Sequence, residues 1–183
     1  MGKVSLVFGL VCGGIAFSFF LFVYFRAEDA LSGGRLLLDA FSTFLFIVAA
    51  IWYYRRTRGR GRLHFWEGLT IGFLTNLISA LVSAGLVYGF ITFIDPAVLP
   101  RHLAALEEML LARKDQYVAL AGEKNFQQQL AETRLTTPGI IFWDEWFKKM
   151  LLMLAVPVVT LLLRRQPYSL INPGGPPEKK PGS

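Results

Sequence analysis

RRTRGRGRLHFWEGLTIGFLTNLISALVSAGLVYGFITFIDP, residues 55–96, decides how this chain folds. It opens with Arg55, Arg56, Arg58, Arg60 and Arg62, meets no acidic residue before Glu67, and then runs apolar until Asp95-Pro96. Guanidinium groups are held back from hydrocarbon and gather on the cytoplasmic side of a bilayer. The turn therefore reads as a cytoplasmic basic turn, and the run after it as a transmembrane helix leaving the cytoplasm. The direction of every neighbouring crossing follows from that assignment.

Composition agrees. Of 183 residues, 54% are hydrophobic and 14% aromatic, and the mean hydropathy is +0.45, too apolar for a soluble domain of this size. A formal charge of +6 raises nucleic acid as a partner, but the basic residues lie at the ends of apolar runs. On the topology below, ten basic and two acidic residues fall inside, and nine basic and eleven acidic outside. Orientation and anionic lipid at the cytoplasmic face account for the charge, and no nucleic-acid partner is expected. Cys12 is the only cysteine, so neither an intramolecular disulfide nor a cysteine metal site is expected, and no cofactor or metal ligand set is read from the chain.

Upstream of the turn, Val4–Phe25 is an apolar run long enough to cross a core of about 30 Å. A cleaved signal peptide would have a shorter apolar core and a small-x-small site, which Phe25-Arg26-Ala27 fits poorly. Gly9 and Gly13 share a helix face. They read either as a close-packing pair or as glycines of the kind common in such helices. A turn with Ser32-Gly33-Gly34 leads to a second span, 36–54, ending on the aromatic anchors Trp52, Tyr53 and Tyr54. Asp39, near the start of that span, is expected to be a solvated or helix-start carboxylate within reach of the interface.

The third span, 66–94, carries a stripe of Gly68, Gly72, Asn76, Ser79 and Ser83 at spacings of three and four, opposite bulky Phe73, Leu74, Leu81 and Tyr88. Small and polar residues on one face of a membrane helix read as a helix-packing seam, with Asn76 finding an interhelical partner. The competing reading makes Asn76 part of a substrate or ion path. After Asp95 as N-cap and Pro96 as first helical position, an amphipathic helix to Ala121, a break at Gly122 and a polar helix to Leu135 form a hairpin over 97–135. Thr137-Pro138 starts the last helix, whose span, 141–163, is marginal. Lys148 and Lys149 are expected to snorkel outward, and Pro157 to kink the helix. Arg164 and Arg165 close it. Residues 1–166 thus form one four-helix transmembrane domain, and 167–183 a disordered cytoplasmic tail.

The run Gly61-Arg62-Leu63-His64-Phe65-Trp66-Glu67-Gly68-Leu69, with Gly72 and Phe93-Ile94-Asp95-Pro96, resembles a bacterial family of small inner-membrane proteins catalogued as domain of unknown function 4199. The resemblance implies four spans, an extracytoplasmic amphipathic insertion between the third and fourth, a Thr-Pro entry to the last span and a basic end. It implies no activity and no catalytic residues. The arginine-rich turn and the proline-rich tail depart from the family pattern.

The favoured reading is an all-α, multi-pass protein of a bacterial inner (cytoplasmic) membrane with both termini cytoplasmic. Its role is expected to be non-enzymatic, structural or interactive, with a membrane or envelope protein or a second copy as partner. The alternative is a small transporter or channel using the polar seam of the third span. His64 and His102 fall on opposite sides of the membrane, and Asp144 and Glu145 point to different helix sides, so neither pair makes an acid–base site.

Overall fold

The computed structural model describes residues 1–26, 31, 36–59 and 63–163. Arg60 and Arg62, the turn at Ser32-Gly33-Gly34, Arg164, Arg165 and the tail therefore lie outside the described residues. Among the described residues eight α-helices follow one another: α1 (Gly2–Phe25), α2 (Leu36–Thr57), α3 (Phe65–Gly89), α4 (Val98–Ala112), α5 (Lys114–Ala121), α6 (Glu123–Arg134), α7 (Pro138–Met150) and α8 (Val156–Leu163). A π-helical turn, Phe90–Ile94, prolongs α3, and a 3-10 turn, Leu151–Ala155, joins α7 to α8. Four rods, Gly2–Phe25, Leu37–Thr57, Phe65–Ile94 and Pro138–Leu163, are long and apolar enough to cross a bilayer.

The third rod is the centre of the bundle, because small residues on two of its sides let two other helices come close. At Gly9 and Gly13 of α1, a Cβ would stand 2.7 Å from Ile78 Cβ and 2.7 Å from Val82 Cβ of α3. Ser5 Oγ adds a hydrogen bond to the Ile71 carbonyl at 3.3 Å. On another side of α3, a Cβ at Gly68 would lie 2.5 Å from Thr160 Cγ2, and one at Gly72 2.5 Å from Val156 Cγ1. Glycine is thus used for near backbone contact, which in lipid does the work that apolar burial does in water. Bulky Phe73, Leu81 and Tyr88 are exposed on the rim of the bundle.

Two apolar clusters mark the ends. At the arginine end, Ile47, Ile51, Tyr54, Leu63, Ile71, Val156 and Val159 pack together. Arg55 Nη1 donates to the Leu163 carbonyl at 3.0 Å, a cation on a carbonyl of the last described helix. The Glu67 carboxylate accepts from the His64 backbone N–H at 3.1 Å and from the Tyr54 hydroxyl at 3.3 Å, fixing the start of α3. At the hairpin end, Phe20, Leu31, Val87, Phe90, Ile91, Val98, Leu99 and Ile141 form the second cluster. Phe90 meets Phe17, Phe20 and Tyr24 edge-on.

The hairpin differs in detail from the sequence reading. Asp95 does not cap from the position before the first helical residue. Its Oδ1 accepts the Ala97 N–H at 3.1 Å, and the helix starts at Val98, behind Pro96 and Ala97. The long amphipathic helix is two pieces, α4 and α5, broken at Arg113. Gly122, at φ +85°, turns the chain into α6, a conformation only glycine adopts without strain. Arg134 pairs with Glu107, and Lys114 with Glu123 at 3.4 Å, so α4, α5 and α6 are tied to one another. Leu103 packs on the hairpin-end cluster, whereas Leu111 and Leu120 are exposed.

Ahead of Pro157 the α-helix gives way to the 3-10 turn Leu151–Ala155 and resumes at Val156.

Candidate functional site

Asp39 and Lys149 form an ion pair inside the bundle, with Lys149 Nζ 2.8 Å from Asp39 Oδ1 and residue exposures of 3% and 7% for Lys149 and Asp39. Both placements correct the expectations for these residues. Asp39 is not a solvated carboxylate, and Lys149 does not snorkel. Lys148 does stay partly exposed, 2.5 Å from Asp144.

Asp39 is deep because the start of a helix in sequence is not its height in the bundle. Thr43, one turn further along α2, accepts a hydrogen bond from Cys12 Sγ at 3.7 Å, and Cys12 sits at the middle of α1. Four residues of rise put Asp39 about 6 Å from that level towards the hairpin end, well within a hydrocarbon half-thickness of about 15 Å. Lys149 reaches it because helical side chains lean towards the N-terminus, here the hairpin end. On α7, Ile141, Glu145 and Lys149 make up the buried face at four-residue spacing. Glu145 is 8% exposed, and one of its carboxylate oxygens is 3.7 Å from Lys148 Nζ.

The seam of α3 runs along the last helical rod. Gly68 and Gly72 lie against α8, and Asn76 Nδ2 donates to the Lys149 carbonyl at 3.0 Å, just before α7 gives way to the 3-10 turn. The amide thus holds a carbonyl at the point where the α-helical ladder changes pitch. Ser83 Oγ donates back to Ala80 at 3.5 Å. Asn76 Oδ1, Ser79 Oγ, Thr75 Oγ1 and Thr160 Oγ1 are buried without a protein partner. Of the basic turn, Arg55 engages the last helix and Arg56 lies over the Trp52 ring at 5.4 Å. It sits at the opposite end of the bundle from the hairpin.

Asp95 anchors the hairpin end. Its carboxyl is held below the usual carboxylate range, first by the Tyr24 hydroxyl at 2.9 Å, then by the Ala97 N–H and the Arg101 guanidinium at 2.5 Å. His102 is buried against the bundle, and His64 lies at the other end. Among the described residues, no three His, Cys, Asp or Glu side chains gather as a metal site would require. A groove of about 600 Å³ opens between the hairpin and α7, lined by Leu103, Leu106, Glu132, Ile140 and Asp144 among others.

Sequence reasoning named Asp39 and Lys149 separately and missed their pairing. The signal was present in the Ile141–Glu145–Lys149 spacing, which puts Lys149 on the inward face while Lys148, about 100° away, points elsewhere.

Four apolar rods packed through small residues, with an ion pair between two of them, define an all-helical, multi-pass membrane protein. The chain belongs to the family described as "Protein of unknown function (DUF4199)", whose model matches residues 7–163, most of the first rod, the other three and the hairpin. No curated protein and no solved structure matches it.

Proposed function

We propose that this chain is a non-enzymatic component of a bacterial inner membrane that carries its α4–α6 hairpin on the outer face as a platform for another membrane or envelope protein, or for a second copy. In this reading the arginine end and both termini are cytoplasmic, with Arg55, Arg56 and Arg58 against anionic lipid. The observation that carries the platform role is the way the hairpin is built. It is fastened within itself through Arg134–Glu107 and Lys114–Glu123 and rests on the bundle through Val98, Leu99 and Leu103, while Leu120 stands 91% exposed. A rigid element with an exposed apolar tip suits contact better than chemistry. A photo-crosslinker at Leu120 in native membranes is expected to give one discrete adduct, whose mass separates a second copy from a different protein. Lipid adducts alone would remove the platform reading.

A second reading, a small transporter or channel, is favoured by Asp39–Lys149. Ionisable groups at this depth mark paths for ions and protons more often than they mark stability. Proton or ion flux through the purified chain in vesicles tests it.

A further inference from the structure

The groove between the hairpin and α7 offers a ligand hydrogen-bond acceptors on one side and apolar surface on the other. Its acceptors come from the end of α6. Glu132 takes one hydrogen bond, from Gln128 Nε2 at 2.9 Å, and no cation lies within ion-pair reach of it among the described residues. Thr133 Oγ1 donates to the Gln129 carbonyl at 2.9 Å, and Thr136 Oγ1 to the Glu132 carbonyl at 3.1 Å. With their protons turned back onto the backbone of α6, both hydroxyls can only accept from a ligand. Among the described residues no Lys or Arg lines the groove. Asp144, on the α7 wall, is already engaged by Lys148 at 2.5 Å, so the free charge of the groove is that of Glu132. The apolar side includes Leu135 and Ile140, both exposed at the start of the last rod. A rod enters the bilayer at the level of the lipid headgroups.

We propose that this groove holds a bilayer phospholipid with a primary-ammonium headgroup, of the phosphatidylethanolamine type, with the ammonium on Glu132 and the glycerol end along Leu135 and Ile140. A primary ammonium has three donors and no acceptor, which complements a carboxylate and two hydroxyls that only accept. A quaternary ammonium has no N–H to give and is recognised by aromatic faces, whereas no Phe, Tyr or Trp lines the groove among the described residues. An anionic headgroup would meet the Glu132 carboxylate with no cation to offset it. The volume of about 600 Å³ falls within the range of about 300–1,000 Å³ usual for small-molecule sites. The site depends on the last rod crossing the bilayer and is separate from the platform contact, because Leu120 does not line the groove. Failure of either one leaves the other standing.

The test uses the full chain in mixed micelles. Phosphatidylethanolamine, phosphatidylcholine and phosphatidylglycerol with identical acyl chains are supplied in competition, and the retained lipid is counted by native mass spectrometry. The phosphate is common to all three, so the comparison reads the group beyond it. One ethanolamine lipid per chain is expected, preferred about fivefold over the other two, the upper range for one solvent-facing ion pair. In Glu132→Gln the preference is expected to vanish, whereas Glu108→Gln, which removes an exposed carboxylate outside the groove, is expected to keep it. Glu132 is itself exposed, so its variant is expected to fold, with helix content as the check. A photoactivatable ethanolamine lipid labelled beside the glycerol is expected to mark the peptide that holds Leu135 and Ile140.

Equal retention of the three lipids, a preference that survives Glu132→Gln, or one lost equally in Glu108→Gln overturns the site. Label confined to the other rods overturns its location. A second chain retained in place of the lipid, and released by Glu132→Gln, overturns the lipid as occupant.

Discussion

Removing one member of the Asp39–Lys149 pair is the most informative single perturbation. In Asp39→Asn the side chain keeps its shape and loses its charge, so Lys149, 3% exposed and held at 2.8 Å, is left as a buried ammonium facing an amide. Breaking a buried pair in this way costs about 3–5 kcal/mol, because the partner's desolvation is no longer offset. The low end applies here. In a micelle the unfolded helices let Lys149 reach water, and membrane reference states generally find substitute partners. At 1.36 kcal/mol per decade, about 3 kcal/mol is roughly a hundredfold shift towards the unfolded state. Removing both charges, as Asp39→Asn with Lys149→Met, deletes the orphan, and is expected to recover most of the loss. The assay is equilibrium unfolding of the purified chain in mixed micelles, followed by helix content and by Trp146 fluorescence. A single variant within about 0.5 kcal/mol of the parent, or a double variant no better than the single, would refute the reasoning that the pair is desolvated.

Other expectations follow from neighbouring contacts. Gly72→Ala places a methyl 2.5 Å from Val156 Cγ1 and is expected to cost about 1–3 kcal/mol, recovered by Val156→Ala in a double-variant cycle; additive losses would place the clash elsewhere. Asn76→Leu removes the bond to the Lys149 carbonyl together with the unpartnered Oδ1, so unfolding is expected to shift by only about 0.6 kcal/mol; a loss above about 2 kcal/mol would show that Oδ1 is satisfied by water. The Asp95 carboxyl is held low in the folded chain, so its contribution to hairpin stability is full above the unfolded value near pH 4 and is lost as pH falls through the lower folded one. The midpoint of hairpin unfolding, read by hydrogen exchange of α4, is expected to fall in that acid window and to lose the dependence in Asp95→Asn; an unchanged acid limb would contradict the Tyr24–Asp95–Arg101 arrangement.

The spans were legible because apolar runs of this length have few alternatives in structure. Three- and four-residue spacings are geometric, and of the third span's stripe Gly68 and Gly72 lie against α8 and Asn76 donates to a carbonyl of α7. What periodicity cannot give is the relative height of two helices. The place of Asp39 near the start of α2 points to the interface. Its depth is set instead by contacts far away in sequence, Thr43 to Cys12 and Asp39 to Lys149. Lys149 was hidden by its neighbour, since two adjacent lysines look alike until the helix faces are separated. The division of the hairpin at Arg113 had no sequence signal as clear as Gly122 gave for the next break.

The claim on which the rest depends is that the four rods cross the bilayer, with Arg58 and the hairpin on opposite sides. With Cys12 replaced by alanine, Leu120→Cys is expected to react with an impermeant maleimide on intact cells, and Arg58→Cys only after the membrane is opened. Labelling of Arg58→Cys from outside while Leu120→Cys stays protected would invert the assignment. Equal labelling of both on intact cells would contradict the spanning bundle itself.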